Sequence, residues 1–363
     1  MKRKKTTIFK RTITITIFII IVFFAAGCNK SIYISDDTRY KKDFFAMDTY
    51  MEFTAYGKNA EEGLEKAIER VEEIEKIFSV TNKDSEVYAV NHRTENTVQI
   101  SQRLMDMLEY TFKISQTTEG TFDISIYPVL CAWGFTTSDY QIPSQQEITD
   151  LLKNTGYDKM QIDSTKNELT LQEGMEIDFG GIAKGYSGDE AIQALKECGV
   201  DSAILSLGGN IQALGSKPDG SAWNIAVKNP DNTESYMGIL QVRDKAVVTS
   251  GGYERFFEGN DGEIYWHILN PATGYPAKQG LISVTIIGKS GRECDALSTA
   301  LFVKGLDGAI EYWKKYGGFE AIFVTEEREL YITEGLSNAF TPEGEYKEKE
   351  VKIIFADKSD GNG

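Results

Sequence analysis

The chain has two histidines, and only one is placed for chemistry. His267 follows the strand-like run Ile264-Tyr265-Trp266 and leads into Ile268-Leu269-Asn270-Pro271-Ala272-Thr273-Gly274. A histidine at a strand end before a rigid Pro/Gly turn suits a general base near neutral pH. The same pattern fits a histidine satisfied by the turn's own backbone. His92, in the polar run Asn91-His92-Arg93-Thr94, reads as solvated. Asp295 and Thr299 stand four residues apart, so on a helix their oxygens share one face, a turn apart. Such hard oxygen donors suit Mg2+, which takes few protein ligands, although an aspartate at a helix start is also an ordinary cap. The third group is Ile177-Asp178-Phe179-Gly180-Gly181-Ile182-Ala183-Lys184-Gly185-Tyr186. Ile177 and Phe179 bury one face, which turns Asp178 to the other. Gly180 and Gly181 let a backbone approach a ligand, and Lys184 supplies a point charge suited to phosphate. Read alone, the stretch is also a plain strand-to-helix connection. Two more glycine clusters, Leu207-Gly208-Gly209-Asn210 and Thr249-Ser250-Gly251-Gly252, follow strand-like runs. P-loop, dinucleotide-fold, Gly-x-Ser-x-Gly and HExxH patterns are absent from the sequence.

These residues need elements to hold them. Phe44–Tyr56 alternates as one strand containing Met47-Asp48-Thr49. Asn59 with Glu62 forms a capping-box pattern opening a helix to about Phe78, with Leu64, Ala67, Ile68, Val71, Ile74 and Phe78 on one face. Further helices are expected over Ser101–Thr117, after Ser144, over Asp189–Cys198, over Asp295–Lys304 and over Asp307–Tyr316. Gln161–Leu171 reads as a hairpin, and the second half is mostly strands. Strand runs interrupted by helices, without regular alternation, give an α+β class with largely antiparallel or mixed sheets flanked by helices.

The chain has 363 residues, 39 Lys/Arg against 55 Asp/Glu and a formal net charge of -16. Residues 1–28 hold six of the basic residues and no acid, so removing them leaves 33 basic against 55 acidic residues, near -22. Nucleic acid is excluded as a partner, because its phosphates need a basic face. The basic start, the apolar run Ile13–Phe24 and Ala25-Ala26-Gly27-Cys28 form an export signal. Its end resembles a bacterial lipobox, with Ala25 where Leu is usual. Residues 1–28 are therefore expected to be a lipoprotein signal peptide with Cys28 as the lipid-anchored residue. The expected remainder is a tether over 29–43, a catalytic domain over 44–341 and a charged, frayed tail over 342–363. The address is the extracytoplasmic face of a bacterial cell membrane. Cys131, Cys198 and Cys294 show neither disulfide nor zinc spacing and read as small apolar residues.

In order, these segments together with Ser85 to Asn91 and Gly120-Thr121-Phe122-Asp123 resemble the FAD:protein FMN transferases, the ApbE flavin transferase family. The likeness runs from Met47 to about Thr333 and implies an ApbE-like, T-fold-related architecture. It implies transfer of the FMN half of FAD to a Thr or Ser hydroxyl of a target flavoprotein, with Mg2+ and release of AMP. A metal-dependent FAD pyrophosphatase and a non-catalytic flavin-binding lipoprotein are the rival readings. By position, Gly181 through its carbonyl, Asp295 and Thr299 would hold the metal. Met47, Thr121, Phe122, Asp123, Asp178 and Lys184 would line the FAD site, and His267 would take the hydroxyl proton. Two departures stand out: Thr81 occupies a position that is often Tyr, for which Tyr88 could substitute. Asn270-Pro271 replaces Asp-Pro, removing a charge near His267.

Overall fold

The computed structural model describes residues 37–357. The expected export signal, Cys28 and most of the expected tether lie outside the described residues. Seventeen strands appear in chain order: β1 Arg39–Ala46, β2 Thr49–Tyr56, β3 Thr97–Gln99, β4 Gln161–Asp163, β5 Glu168–Thr170, β6 Ser202–Leu207, β7 Asn210–Leu214, β8 Trp223–Asn229, β9 Asn232–Val242, β10 Lys245–Gly251, β11 Phe256–Glu258, β12 Ile264–Trp266, β13 Leu281–Gly288, β14 Glu320–Thr325, β15 Leu330–Thr333, β16 Phe340–Pro342 and β17 Val351–Ile354. The α-helices are α1 Ala60–Phe78, α2 Glu86–Asn91, α3 Gln102–Thr117, α4 Tyr127–Ala132, α5 Gln145–Leu152, α6 Ala183–Glu197 and α7 Gly291–Tyr316.

Nine strands form the central sheet in the order β1-β2-β6-β7-β10-β13-β14-β15-β17. Every pairing in it is antiparallel except β15 with β17. Strand alternation gives this sheet two buried faces. Phe53, Leu205, Leu207 and Leu214 pack with Leu64, Val71, Ala191 and Leu195 of α1 and α6. Val248, Val284 and Ile286 pack with Leu297, Leu301 and Phe302 of α7. On the opposite face Ala213, Val247, Ile287 and Val324 meet Ile225, Val227 and Leu240 of the small β16-β9-β8 sheet. Each such fully buried aliphatic side chain contributes about 1.5–3 kcal/mol. Among the described residues, no helix is long and apolar enough to cross a membrane.

The α+β class with mixed sheets is as the sequence implies, but several boundaries move. The expected single strand Phe44–Tyr56 is a hairpin, β1 and β2, turning at Met47 and Asp48 with φ of 51° and 55°. Its first strand starts at Arg39, inside the expected tether. Asn59 caps α1 by position without a side-chain cap; its amide donates to the Cys198 carbonyl instead. The expected frayed tail is folded through residue 357: β17 pairs with β15, and Tyr346 and Ile354 are buried. Those two side chains reach the core there, while Ile353 and Phe355 stay exposed.

α6 starts at Ala183, not Asp189. Its glycines disguise it, because glycine is a poor helix former. Close packing requires them: a Cβ on Gly185 would lie 2.1 Å from the Gly291 carbonyl oxygen, and one on Gly188 would lie 2.1 Å from Gln212 Nε2. The two expected helices meet at Gly305, whose φ of 74° and ψ of 176° are not helical, so α7 is two helices joined across a break there, as the sequence implies. It begins at Gly291, capped by the Ser290 hydroxyl, so Asp295 is inside the helix and is not its cap.

Candidate functional site

A cavity of about 620 Å³ opens where the ends of β6, β7 and β10 meet the start of α6 and the middle of α7. That size is ordinary for a small-molecule site. All ten of the sequence-predicted site residues line it: Met47, Thr121, Phe122, Asp123, Asp178, Gly181, Lys184, His267, Asp295 and Thr299. They come from five separate segments, and folding brings them to one place.

The two helices build the polar floor. Asp295 Oδ2 accepts from the Gly185 N–H at 2.8 Å, satisfying a first-turn donor of α6 that has no helical partner. Oδ1 makes no hydrogen bond among the described residues. Burial pushes the Asp295 pKa up to about 6, against the Lys184 charge and the Gly185 bond, which lower it. One turn on, the Thr299 hydroxyl lies 3.3 Å from that of Ser250, which is also 2.7 Å from Ser298 Oγ. Gly181 is next to both Phe122 and Thr299: a Cβ there would stand 3.2 Å from Phe122 Cε2 and 3.6 Å from Thr299 Oγ1. One carboxylate, one hydroxyl and a nearby carbonyl are donors of the kind a hard divalent cation takes. No three His, Cys, Asp or Glu side chains converge on a metal-sized space among the described residues. A cation here would therefore depend on hydroxyl, carbonyl and substrate oxygens beside the single carboxylate.

Lys184, in the first turn of α6, has no hydrogen bond or ion pair among the described residues. Its charge reaches both Asp295 and His267. A free ammonium at a helix start is a fitting cradle for phosphate.

His267 sits at the end of β12, as the sequence suggests. Its backbone N–H and its Nδ1 both lie 3.1 Å from the Arg255 carbonyl oxygen. A carbonyl only accepts, so in the neutral ring the proton is on Nδ1 and Nε2 keeps its lone pair. Burial first, and then the charges of Arg255 and Lys184, lower its pKa to about 4, with the Arg255 carbonyl opposing. His267 is thus neutral at pH 7 and able to accept a proton. Phe135 stands edge-on to the ring, 6.4 Å between centroids.

Some expected ligand residues have structural duties. Asp123 accepts from Ser125 N at 2.9 Å, Ser125 Oγ at 2.6 Å and Tyr157 N at 2.8 Å, fixing the loop that presents Phe122. Burial raises its pKa despite those bonds. Asp178 Oδ1 accepts from Gly180 N at 3.0 Å and shapes the turn before α6; burial raises its pKa as well. The Met47 N–H donates to Glu75 Oε1, and its sulfur accepts from Ser187 Oγ. Thr121 donates its hydroxyl to the Thr118 carbonyl.

Thr81 lines the cavity, whereas Tyr88 does not: its ring stacks on His92 at 3.8 Å. Tyr88 therefore cannot replace the missing aromatic at position 81. Asn270 uses its side-chain oxygen to hold Ala272 N, which keeps the turn without a charge. Cys294 is buried as expected, while Cys131 and Cys198 are half-buried; all three are free thiols. Ser250, from the Thr249-Ser250-Gly251 cluster, lines the cavity, and so do Glu254 and Arg255, which no pattern in the sequence marked. Ser250 was within reach of inference, since it ends a strand in a glycine cluster.

The pattern of the ApbE family matches residues 47–323. A FAD:protein FMN transferase of Klebsiella pneumoniae is 33% identical over 222 residues, covering 61% of this chain and 68% of that protein. One from Treponema pallidum is 38% identical over 174 residues, covering 46% of this chain and 48% of that protein. Among solved structures, the ApbE protein of Thermotoga maritima superposes with a TM-score of 0.77 at 31% identity, over 82% of this chain and 98% of that one. With the pattern spanning most of its length, this chain belongs to the ApbE family.

Proposed function

We propose that this protein transfers the FMN half of FAD to a Thr or Ser hydroxyl of a target flavoprotein and releases AMP. The observation that carries the reading is the meeting of His267, Lys184, Asp295 and Thr299 in one cavity, beside the Gly181 backbone. FAD:protein FMN transferase is also the name of the curated relatives. Transfer of this kind needs positioning and charge stabilisation more than covalent chemistry from the protein. Lys184 and the start of α6 bind the diphosphate. Met47, Phe122 and the Asp123 loop shape the wall that receives the rest of FAD. His267 Nε2 takes the proton of the attacking hydroxyl, with Nδ1 fixed on the Arg255 carbonyl. Asp295, Thr299 and the Gly181 carbonyl would hold Mg2+, which when bound neutralises diphosphate charge.

In this reading the protein works outside the cytoplasm, held to the bacterial membrane by lipid on Cys28. Support for that comes from the basic and apolar start of the chain and the small residues before Cys28.

The test is to incubate the protein with FAD, Mg2+ and a Thr-containing target and to weigh the target. A target heavier by one FMN, with AMP released in equal amount, is expected. AMP without a mass change would replace transfer by FAD hydrolysis, and intact FAD would leave only a flavin-binding role. His267→Ala should lower transfer by about 10²–10⁴-fold while FAD still binds. Loss of FAD binding would remove the base assignment.

A further inference from the structure

Arg255 follows β10 in the turn before β11, and it lines the cavity beside His267. Its carbonyl orients the imidazole, as described above. Its side chain is exposed, and Nη1 donates to the Phe135 carbonyl at 3.3 Å. No ion pair involves the guanidinium among the described residues. The other cations of the cavity wall are Lys184 and Lys228, and Lys228 is held by Glu254 at 3.2 Å. Two positive charges are therefore uncommitted, Lys184 from α6 and Arg255 from the turn beside His267. Both line the cavity that holds His267, and the charge of each lowers its pKa.

In a chain of net charge -16, two cations without ion pairs on the wall of one cavity describe a site for a multiply charged anion. The two differ in shape. An ammonium is a point charge, whereas a guanidinium is a planar fork matching two non-bridging phosphate oxygens.

Resting on the FMN-transfer reading, we propose that Arg255 is a catalytic residue of that reaction, its guanidinium contacting non-bridging oxygens of the phosphoryl group in transfer. The acceptor hydroxyl oxygen forms a bond to the phosphorus of the FMN half. The bond from that phosphorus to the bridging oxygen breaks, and AMP leaves carrying that oxygen. The hydroxyl proton moves to Nε2 of His267. One residue thus serves both partners of the step, its carbonyl holding the base and its side chain holding the group that the activated hydroxyl attacks. Backbone and side chain are separable by mutation, because any substitution keeps the carbonyl.

The charged side chains that line the cavity with His267 are Arg255 and Glu254 from the turn, Lys228 from β8, Lys184 from α6, Asp178 from the loop before it, Asp295 from α7, Asp123 and Asp48. The test uses the full chain with FAD, Mg2+ and the Thr-containing target, comparing wild type, Arg255→Gln and Arg255→Lys. In Arg255→Gln, kcat should fall by at least about 100-fold, in line with phosphoryl-contacting arginines, with KM for FAD within about threefold. The acid limb of its kcat/KM profile should move up toward the ordinary histidine value of about 6.5. Arg255→Lys should return the limb toward its wild-type position without restoring kcat, because the charge remains and the fork is lost. A kcat for Arg255→Gln within threefold of wild type, per molecule shown folded by circular dichroism, would overturn the proposal. So would a loss confined to KM, or an unmoved acid limb. Wild type that forms no AMP would overturn the transferase reading itself, and the role of Arg255 with it.

Discussion

Two aspartates at the junction of α6 and α7 look alike in sequence and differ in what they do. Asp189 belongs to α6 and reaches across to the start of α7, where it accepts from Ser290 Oγ at 2.9 Å, Gly291 N at 2.6 Å and Arg292 N at 3.0 Å. Asp295 belongs to α7 and reaches back to the start of α6, where it accepts from Gly185 N alone. Each helix thus satisfies the orphan donors of the other. Burial raises both carboxyl pKa values, but three bonds oppose it at Asp189 and one does so at Asp295. Asp189 is fully used by the fold. Asp295 faces the cavity with an oxygen to spare, and a spare buried oxygen is what a ligand can use.

The comparison breaks most visibly in activity. Asp295→Asn should keep the bond from Gly185, since an amide oxygen also accepts, and should lose about 10²–10³-fold in Mg2+-dependent AMP release. A variant as active as wild type would place the metal elsewhere. Asp189→Ala should do the reverse, costing about 2 kcal/mol in urea unfolding through its lost caps while activity per folded molecule stays within about threefold. Gly185→Ala tests the contact that both carboxylates depend on. A methyl 2.1 Å from the Gly291 oxygen and 2.7 Å from Asp295 Cβ must push the helices apart, at about 1–3 kcal/mol. Unchanged unfolding would show that the junction is looser than described.

The smallest effect lies in the pH dependence of the metal-free protein. Asp295, at about 6 against about 3.9 unfolded, binds its proton more tightly when native, so its contribution to stability is lost as pH rises from 4 to 6. His267, at about 4 against about 6.5 unfolded, acts oppositely and weakens the native state as pH falls from 6.5 to 4. The two partly cancel in wild type. Melting followed in EDTA should therefore show Asp295→Asn losing stability more steeply than wild type on acidification across that window. Parallel curves would contradict the assigned environments.

The site was legible in the sequence because its residues are types with few alternative uses in such surroundings: a histidine before a Pro/Gly turn, and an Asp/Thr pair one helical turn apart. What escaped depends on contacts that no local pattern encodes. The turn at Met47-Asp48 contains neither Gly nor Asn, and the alternation of Phe44–Tyr56 runs through it undisturbed. Gly180 and Gly181, read as backbone for a ligand, do line the cavity, whereas Gly185 and Gly188 inside α6 serve the close approach of α7 and Gln212. The Val351–Ile354 strand looked like charged tail because its partner, Leu330–Thr333, is its neighbour only after folding. Arg255 was invisible for the same reason, since its meaning comes from the His267 ring held on its carbonyl.

Anomalous scattering from crystals grown with Mn2+ and FAD tests the division of labour between the two aspartates most directly. A manganese peak bound by Asp295, Thr299 and the Gly181 carbonyl, with FAD phosphate oxygens completing its shell, is the expected result. A peak on Asp189, or FAD seated with no metal between Asp295 and its diphosphate, would contradict it.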